Sequence, residues 1–173
     1  MNTKMQALAL AGSAVLAMGL GATSAQADPV TRQVTAKAKV LKQITVTKNS
    51  DLDFGTVLAG TAGTVAINAN GARTCTGVQC ITTTGNTGTS ASFTVTGTNN
   101  QVVTVTTPQT PLTLSNGAGG TMSASITPVS AFNLGNSGST GTNFGVGGTL
   151  TVSATQADGV YTSPSFDVTV DYQ

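Results

Sequence analysis

The sequence contains no histidine, no tryptophan and no glutamate. General acid–base chemistry near neutral pH usually relies on histidine, or on a carboxyl group or lysine that burial has tuned. Without histidine, Ser–His–Asp and Cys–His arrangements are impossible. Only 8% of the 173 residues are charged and the net charge is +1, so the charge balance gives no reason to expect a nucleic-acid partner. We therefore expect a non-enzymatic protein with no catalytic residue, cofactor or metal.

Few residues remain as candidates for a site. Asp51 and Asp53 occupy alternate positions and could share a calcium ion, but two carboxylates alone make a poor calcium site. We predict a solvated turn there. Cys75 and Cys80 are too few for a metal site, and their spacing is not Cys-x-x-Cys. They are predicted to form a structural disulfide between neighbouring strands across a short turn.

The first 27 residues have the pattern of an export signal. Lys4 precedes an apolar run over residues 7–22, and Ala25-Gln26-Ala27 is the small-x-small motif that signal peptidase cleaves. The run is too short to be a good bilayer span. We expect cleavage after Ala27 and an exported mature chain, without a membrane span, in the periplasm and then at the cell surface or in the medium. Such compartments permit disulfides.

Alternation of apolar and polar residues dominates the remaining chain, and threonine and valine, which favour strands, are abundant. Turn dipeptides such as Asn70-Gly71 and Asp158-Gly159 separate the alternating runs. Gly135 to Gly148 is predicted to be a low-complexity loop. The pattern predicts an all-β fold, an antiparallel immunoglobulin-like β-sandwich. Alternating segments cover residues 64–67, 92–96, 103–106, 112–114 and 149–153.

The N-terminal segment of the mature chain keeps its apolar residues at even-numbered positions, and Leu41 and Lys42 interrupt the pattern. One interpretation is a free extension over residues 28–40, followed by a sandwich domain over 41–173. One continuous strand would exceed the usual length, which favours this division. The other interpretation is a single long edge strand with a bend. The even-numbered residues of the extension that would form a donated strand are Val34, Ala36, Ala38 and Val40.

The C-terminal segment alternates in the same way and ends at Tyr172-Gln173, with Gly159 fourteen residues before the last. This resembles the C-terminal signature of chaperone–usher pilus subunits. The resemblance implies an immunoglobulin-like domain that lacks its last strand, so that the final strand borders a groove. A periplasmic chaperone, and then the N-terminal extension of the next subunit, would fill this groove by strand addition. The implied acceptor and chaperone-contact residues are Gly159, Phe166, Val168, Val170 and Tyr172.

A second resemblance covers more of the chain. Leu52-Asp53-Phe54-Gly55, Gly71-Ala72-Arg73, residues 91–97 and Gly159-Val160-Tyr161-Thr162 look like an uncharacterised family of exported proteobacterial proteins. The first and last of these motifs also resemble the spore-coat-U-like pilins. The position of the Cys75–Cys80 pair departs from ordinary pilins, in which the disulfide usually ties the first strand to a later one.

Our leading hypothesis is a structural subunit of a bacterial surface fibre, assembled by donor-strand addition with a periplasmic chaperone and an outer-membrane usher. Lys37 and Lys39 would lie on the outer face of the donated strand, and Asp167 and Asp171 on that of the last strand. Such pairs contribute only about 0.2–1 kcal/mol each and would set register. The alternative is a self-complete periplasmic or extracellular binding or adhesion module, in which residues 34–46 pair within their own sheet.

Overall fold

The computed structural model describes residues 28–107 and 111–173, so the predicted signal peptide lies outside the described residues. The chain divides into two units, of which the second is the compact unit Lys39–Gln173. In the first unit, residues 28–38 form neither helix nor strand, and all of them are exposed.

In the described residues the regular secondary structure of the second unit is almost entirely β-strand, as the alternation predicted. A single four-residue helix, α1, interrupts them between β10 and β11. The elements are β1 (Thr45–Ser50), β2 (Val57–Leu58), β3 (Gly63–Ile67), β4 (Arg73–Thr76), β5 (Gln79–Cys80), β6 (Ala91–Thr96), β7 (Val102–Thr106), β8 (Leu112–Ser115), β9 (Thr121–Thr127), β10 (Phe132–Asn133), α1 (Ser137–Thr140), β11 (Thr142–Val152) and β12 (Thr169–Tyr172).

The long strand β11 organises the larger sheet. Its first half pairs with β6, which in turn pairs with β1. Its second half pairs with both β3 and β9, and these continue to β4 and β8 respectively. All of these pairings are antiparallel. A second sheet has the order β10-β7-β12, and β2 and β5 form a two-stranded ladder.

Two apolar clusters fill the domain. One joins the two sheets: β6 and the first half of β11 contribute from one side, and β7 and β12 from the other. Phe93 stacks on Phe144 in this cluster, with ring centroids 5.3 Å apart. The other cluster lies on β3, β8, β9 and the second half of β11, and Phe54 and Val78 pack against it. The prediction of an all-β antiparallel sandwich is confirmed.

The predicted loop over Gly135 to Gly148 is wrong in its second half, because residues 142–148 belong to β11. The glycines there allow a close approach of two chain segments. A Cβ at Gly145 would collide with the carbonyl oxygen of Ala69, and one at Gly147 with that of Ile67. Composition suggested a flexible loop, but these glycines admit a neighbouring backbone at the centre of a sheet.

The predicted disulfide between Cys75 and Cys80 is confirmed, with a Cα–Cα distance of 6.3 Å. Its setting differs from the predicted hairpin. Cys75 lies on β4, which pairs with β3, whereas Cys80 lies on β5, which pairs with β2. The bond therefore ties the two-stranded ladder to the larger sheet.

The last strand is shorter than the alternation predicted. Phe166 and Val168 precede β12 and are half-buried without belonging to a strand. The partner strand β7 ends at Thr106, and the β12–β7 ladder begins at the pair of Thr169 with Thr106. Among the described residues, 163–168 therefore have no ladder partner, although their alternation continues.

Candidate functional site

The first and last strands of the second unit each have one unpaired edge. In the described part of the chain, β1 pairs only with β6 and β12 only with β7. Five of the six residues of β1 are exposed. In a β-sandwich one face of each strand is normally buried against the opposite sheet. The exposure of β1 therefore shows that the domain is open at this place.

Two openings lie between the first and last segments of the second unit, and we call the two together the seam. Its narrow part is a shallow pocket of about 510 Å³ between residues 41–46 and residues 170–172. Its wide part is a groove of about 1140 Å³, with residues 48–59 on one wall and residues 157–168 on the other. From the narrow part to the wide part, residue numbers rise along one wall and fall along the other. The two walls therefore run in opposite chain directions.

The floor of the wide part is apolar. It consists of uncharged side chains from β6, β8, β9 and β11, and all of them except Leu112 also belong to the two clusters: Phe93, Leu112, Leu114, Met122, Ala124, Ile126, Leu150 and Val152. Main-chain hydrogen bonds at an edge and an apolar floor beneath it are what an added strand requires.

A short isolated bridge holds each wall of the wide part. Asp53 exchanges two backbone hydrogen bonds with Thr89, at 2.9 and 2.7 Å. Thr162 on the opposite wall exchanges two with Ser115, at 2.8 and 3.0 Å. The Asp53 carboxylate also accepts a hydrogen bond from the Gly55 N–H at 2.8 Å. Asp53 thus closes a turn, in agreement with the predicted solvated turn.

Arg73 anchors the wall formed by residues 48–59. Its half-buried guanidinium donates to the backbone carbonyls of Phe54 (3.2 Å) and Asn86 (2.9 Å) and also to that of Ile81. Arg73 thereby supplies a donor to three carbonyls, of which that of Asn86 also accepts from the Thr56 N–H at 3.1 Å. This matters because buried polar groups are costly when unpaired. The wall is in this way attached to the loop beyond the Cys75–Cys80 disulfide.

Tyr172 joins the two walls at the narrow end. Its hydroxyl donates to the carbonyl of Lys42 at 2.6 Å and accepts from the Thr98 N–H at 2.7 Å. The Lys42 N–H in turn donates to the Thr98 hydroxyl at 2.6 Å. The chain is therefore fixed to the domain at Lys42, whereas residues 39 and 40 just before it are exposed.

The free edge of β12 carries a defined set of main-chain groups. Gln173 donates its N–H to the carbonyl of Val102, and the β12–β7 register is antiparallel. Because ladder bonds alternate along an antiparallel pair, the N–H and C=O groups of Val170 and Tyr172 point away from β7. These groups face the seam and are available to another strand.

The seam is bordered by acidic residues. Five of the six aspartates line it: Asp51, Asp53, Asp158 and Asp167 in the wide part and Asp171 in the narrow part. Only Lys42 and Lys48 among its lining residues are basic, and Lys48 forms an exposed ion pair with Asp51 at 2.7 Å. By contrast, residues 30–40 carry Arg32, Lys37 and Lys39 and no acid.

The predicted acceptor residues lie together along one wall. Phe166 and Val168 line the wide part, and Val170 and Tyr172 the narrow part. Gly159 lies on the same wall with a φ of +138°, a conformation that favours glycine. The predicted donor residues are exposed and form no strand. Val34 is 91% exposed and Val40 is 90% exposed.

Sequence reasoning missed several residues of the site. Arg73 was noted only as part of a motif. It is the one basic residue after Lys48, and this isolation was the sequence feature that could have identified it. Leu114 was expected as an ordinary strand residue and not as part of a groove floor, and Met122 was not singled out. Within the described residues, no group of three or more histidine, cysteine or acidic side chains could hold a metal ion. No helix there is long and apolar enough to cross a membrane.

Fold and site together define a class: an all-β sandwich whose two terminal strands border an open apolar seam. Residues 44–172 match the model of a family described as a domain of unknown function, DUF4402. The chain belongs to this family, as the resemblance to an uncharacterised family led us to expect. The match begins at Ile44, so it includes the wide part of the seam and leaves out the exposed extension and residues 41–43 of the narrow part. Neither a curated protein nor a solved structure was found to match the chain.

Proposed function

We propose that this chain is a non-enzymatic structural subunit of an exported bacterial surface fibre. The exposed N-terminal extension of one subunit would enter the seam of the next as an added strand, and repetition would give a head-to-tail polymer. A periplasmic chaperone would occupy the seam before assembly, and an outer-membrane usher would export the subunits. No catalytic chemistry is required of the protein.

The observation that carries this proposal is the pairing of an open seam with an unused strand. The seam offers free ladder groups of β12 in its narrow part and an apolar floor in its wide part. The extension has apolar residues at alternate positions, is fully exposed and forms no strand. A head-to-tail interface produces a filament when the rotation between successive subunits does not close into a ring.

Charge supports the same partner. The seam is rich in aspartate, whereas all charged residues between positions 30 and 40 of the extension are basic. The alternative, a self-complete binding or adhesion module, required residues 34–46 to pair within their own sheet. In the structure only residues from Thr45 onward are in a strand, which favours the fibre subunit.

The test uses two variants that damage opposite partners of the interface. Val34→Asp changes the extension, and because Val34 is 91% exposed the monomer should keep its melting temperature. Val168→Asp changes the acceptor wall. The processed chain from the periplasm should give a ladder on an SDS gel that collapses on boiling, and each variant alone should give only monomer.

Mixing the two variants is the decisive experiment. Val34→Asp keeps an intact seam and Val168→Asp keeps an intact extension, so the mixture should form a 1:1 dimer and nothing longer. A parent chain that remains monomeric at every concentration would contradict the proposal. Normal polymers from either variant alone would also contradict it.

A further inference from the structure

We propose a specific register for the strand exchange: Val34 of one subunit lies opposite Tyr172 of the next, Val40 lies opposite Phe166, and the two strands run antiparallel. This inference rests on the proposed function, since it assigns the residue pairs of the same interface. It follows from matching the length of the acceptor edge to the length of the donor's apolar run.

The acceptor edge offers four positions. Val170 and Tyr172 direct their main-chain groups into the seam. Phe166 and Val168 are half-buried between exposed neighbours, so an added strand would continue the same parity to them. The next position of the same parity is Pro164, which has no N–H to donate. Strand β12 ends at Tyr172. A ladder on this edge therefore uses positions 166, 168, 170 and 172.

The donor also offers four positions. Even-numbered residues of the extension are apolar from Val34 to Val40, and the run is bounded by Arg32 on one side and Lys42 on the other. A charged side chain directed toward an apolar floor would be costly to bury. Four apolar donor positions against four acceptor positions leave one antiparallel register that keeps both basic residues outside the matched stretch.

Outward-facing residues agree with this register. Lys39 lies opposite Asp167, and Lys37 lies opposite Thr169, diagonal to both Asp167 and Asp171. Opposite charges on facing strands are favourable, although weakly so. Lys39 now donates to the exposed amide of Gln101 at 2.7 Å and would exchange that partner for Asp167. The antiparallel direction continues the arrangement of the β10-β7-β12 sheet and gives the more stable ladder.

Cysteine pairs distinguish this register from its rivals. Odd-numbered residues form the non-hydrogen-bonded pairs of the new ladder, whose Cα atoms lie about 4.5 Å apart, within disulfide range. Thr35→Cys with Asp171→Cys should give, on mild oxidation of the full processed chain, multimers that survive boiling and collapse with reductant. Thr35→Cys with Asp167→Cys reports the parallel direction, and Thr35→Cys with Thr169→Cys reports a two-residue slip. Both should stay at least tenfold less cross-linked.

Each outcome has one meaning. Preferential cross-linking of either rival pair overturns the register, and a cross-linked monomer overturns exchange between subunits. If the parent chain forms its ladder but no cysteine pair links it, the register alone fails. If the parent forms no ladder, the proposed function fails. A variant that does not assemble when reduced is replaced by Lys39→Cys with Asp167→Cys, which the register also predicts to link.

A second contrast needs no cysteine. The register places Val30 beyond Tyr172, outside the ladder, while Val34 is inside it. Both side chains are exposed in the subunit, at 76% and 91%. Val30→Asp should therefore polymerise within twofold of the parent rate, and Val34→Asp at least tenfold more slowly. Equal loss in the two variants would place the ladder further toward the N-terminus and overturn the register.

Discussion

At the scale of single residues, Tyr172 has a role that its position in the sequence only partly suggested. The alternation predicted an apolar contact, and the hydroxyl group adds two hydrogen bonds that join the walls of the seam. Gly97 makes room for it, because a Cβ there would lie 2.6 Å from the Tyr172 hydroxyl oxygen. The ring and its hydroxyl thus fix where the chain leaves the domain at Lys42.

Tyr172→Phe is expected to lower the free energy of unfolding by about 1–3 kcal/mol, because it removes two hydrogen bonds of about 0.5–1.5 kcal/mol each. Urea denaturation of monomer would measure this. The Thr98 amide should also exchange its hydrogen faster. Tyr161→Phe is the matched control, since the Tyr161 hydroxyl bonds to Ala157 and Gln156 instead. Unchanged exchange at Thr98 in Tyr172→Phe would contradict the assignment.

Arg73→Met should destabilise the domain by about 2–4 kcal/mol, because a guanidinium that serves three carbonyls is replaced by a side chain that serves none. Arg73→Lys should recover only part of the loss, since an ammonium cannot reproduce the planar fork of donors. Urea unfolding curves of the three proteins test the order. Equal stability of the methionine variant and the parent would show that water replaces the guanidinium.

At the scale of elements, the sequence predicted several strands but not their partners. The alternating runs correspond to β3, β6, β7, β8 and the end of β11. Alternation shows which face of a strand is buried but not which strand lies beside it. The sequence therefore could not predict that β11 pairs with three strands, or that the two cysteines lie in separate ladders. The groove floor was hidden for the same reason: Leu114 and Met122 look like ordinary core residues.

Gly147→Ala tests the reason for the glycines in β11. The added Cβ would collide with the carbonyl oxygen of Ile67 on the adjacent strand, and overpacking of this kind costs about 3 kcal/mol. Gly119→Ala is the control, since a Cβ there meets nothing within 4 Å. It pays only the strain of a left-handed backbone, about 1 kcal/mol. Equal losses in thermal unfolding would mean that the close approach is not what requires glycine.

The disulfide connects elements of two different ladders, so its removal should act locally as well as globally. Cys75→Ser with Cys80→Ser should cost about 2 kcal/mol, the chain-entropy value for so short a loop. Amide exchange in β2 and β5 should quicken more than exchange in β6, which lies in the other half of the larger sheet. Uniform acceleration across all strands would instead indicate that the effect is purely global.

At the scale of the whole molecule, charge is divided between the two partners of the proposed interface. The extension is basic and the seam is acidic, although the net charge of the chain is only +1. Composition alone concealed this division, because the two groups of charges cancel in the total. Exposed charges are screened by salt, over about 10 Å at 0.1 M and about 3 Å at 1 M. Steering of the extension toward the seam should therefore depend on ionic strength.

The polymerisation rate should fall by about tenfold between low and high salt, within the usual range for steered association. Light scattering of purified monomer at several salt concentrations would measure it. Lys37→Gln with Lys39→Gln should be slow at low salt and nearly insensitive to added salt. Once formed, the polymer should resist salt in both proteins, because burial on an apolar floor and the main-chain ladder provide most of its stability. Dissolution of preformed polymer by salt would mean that charge, and not strand addition, holds the subunits together.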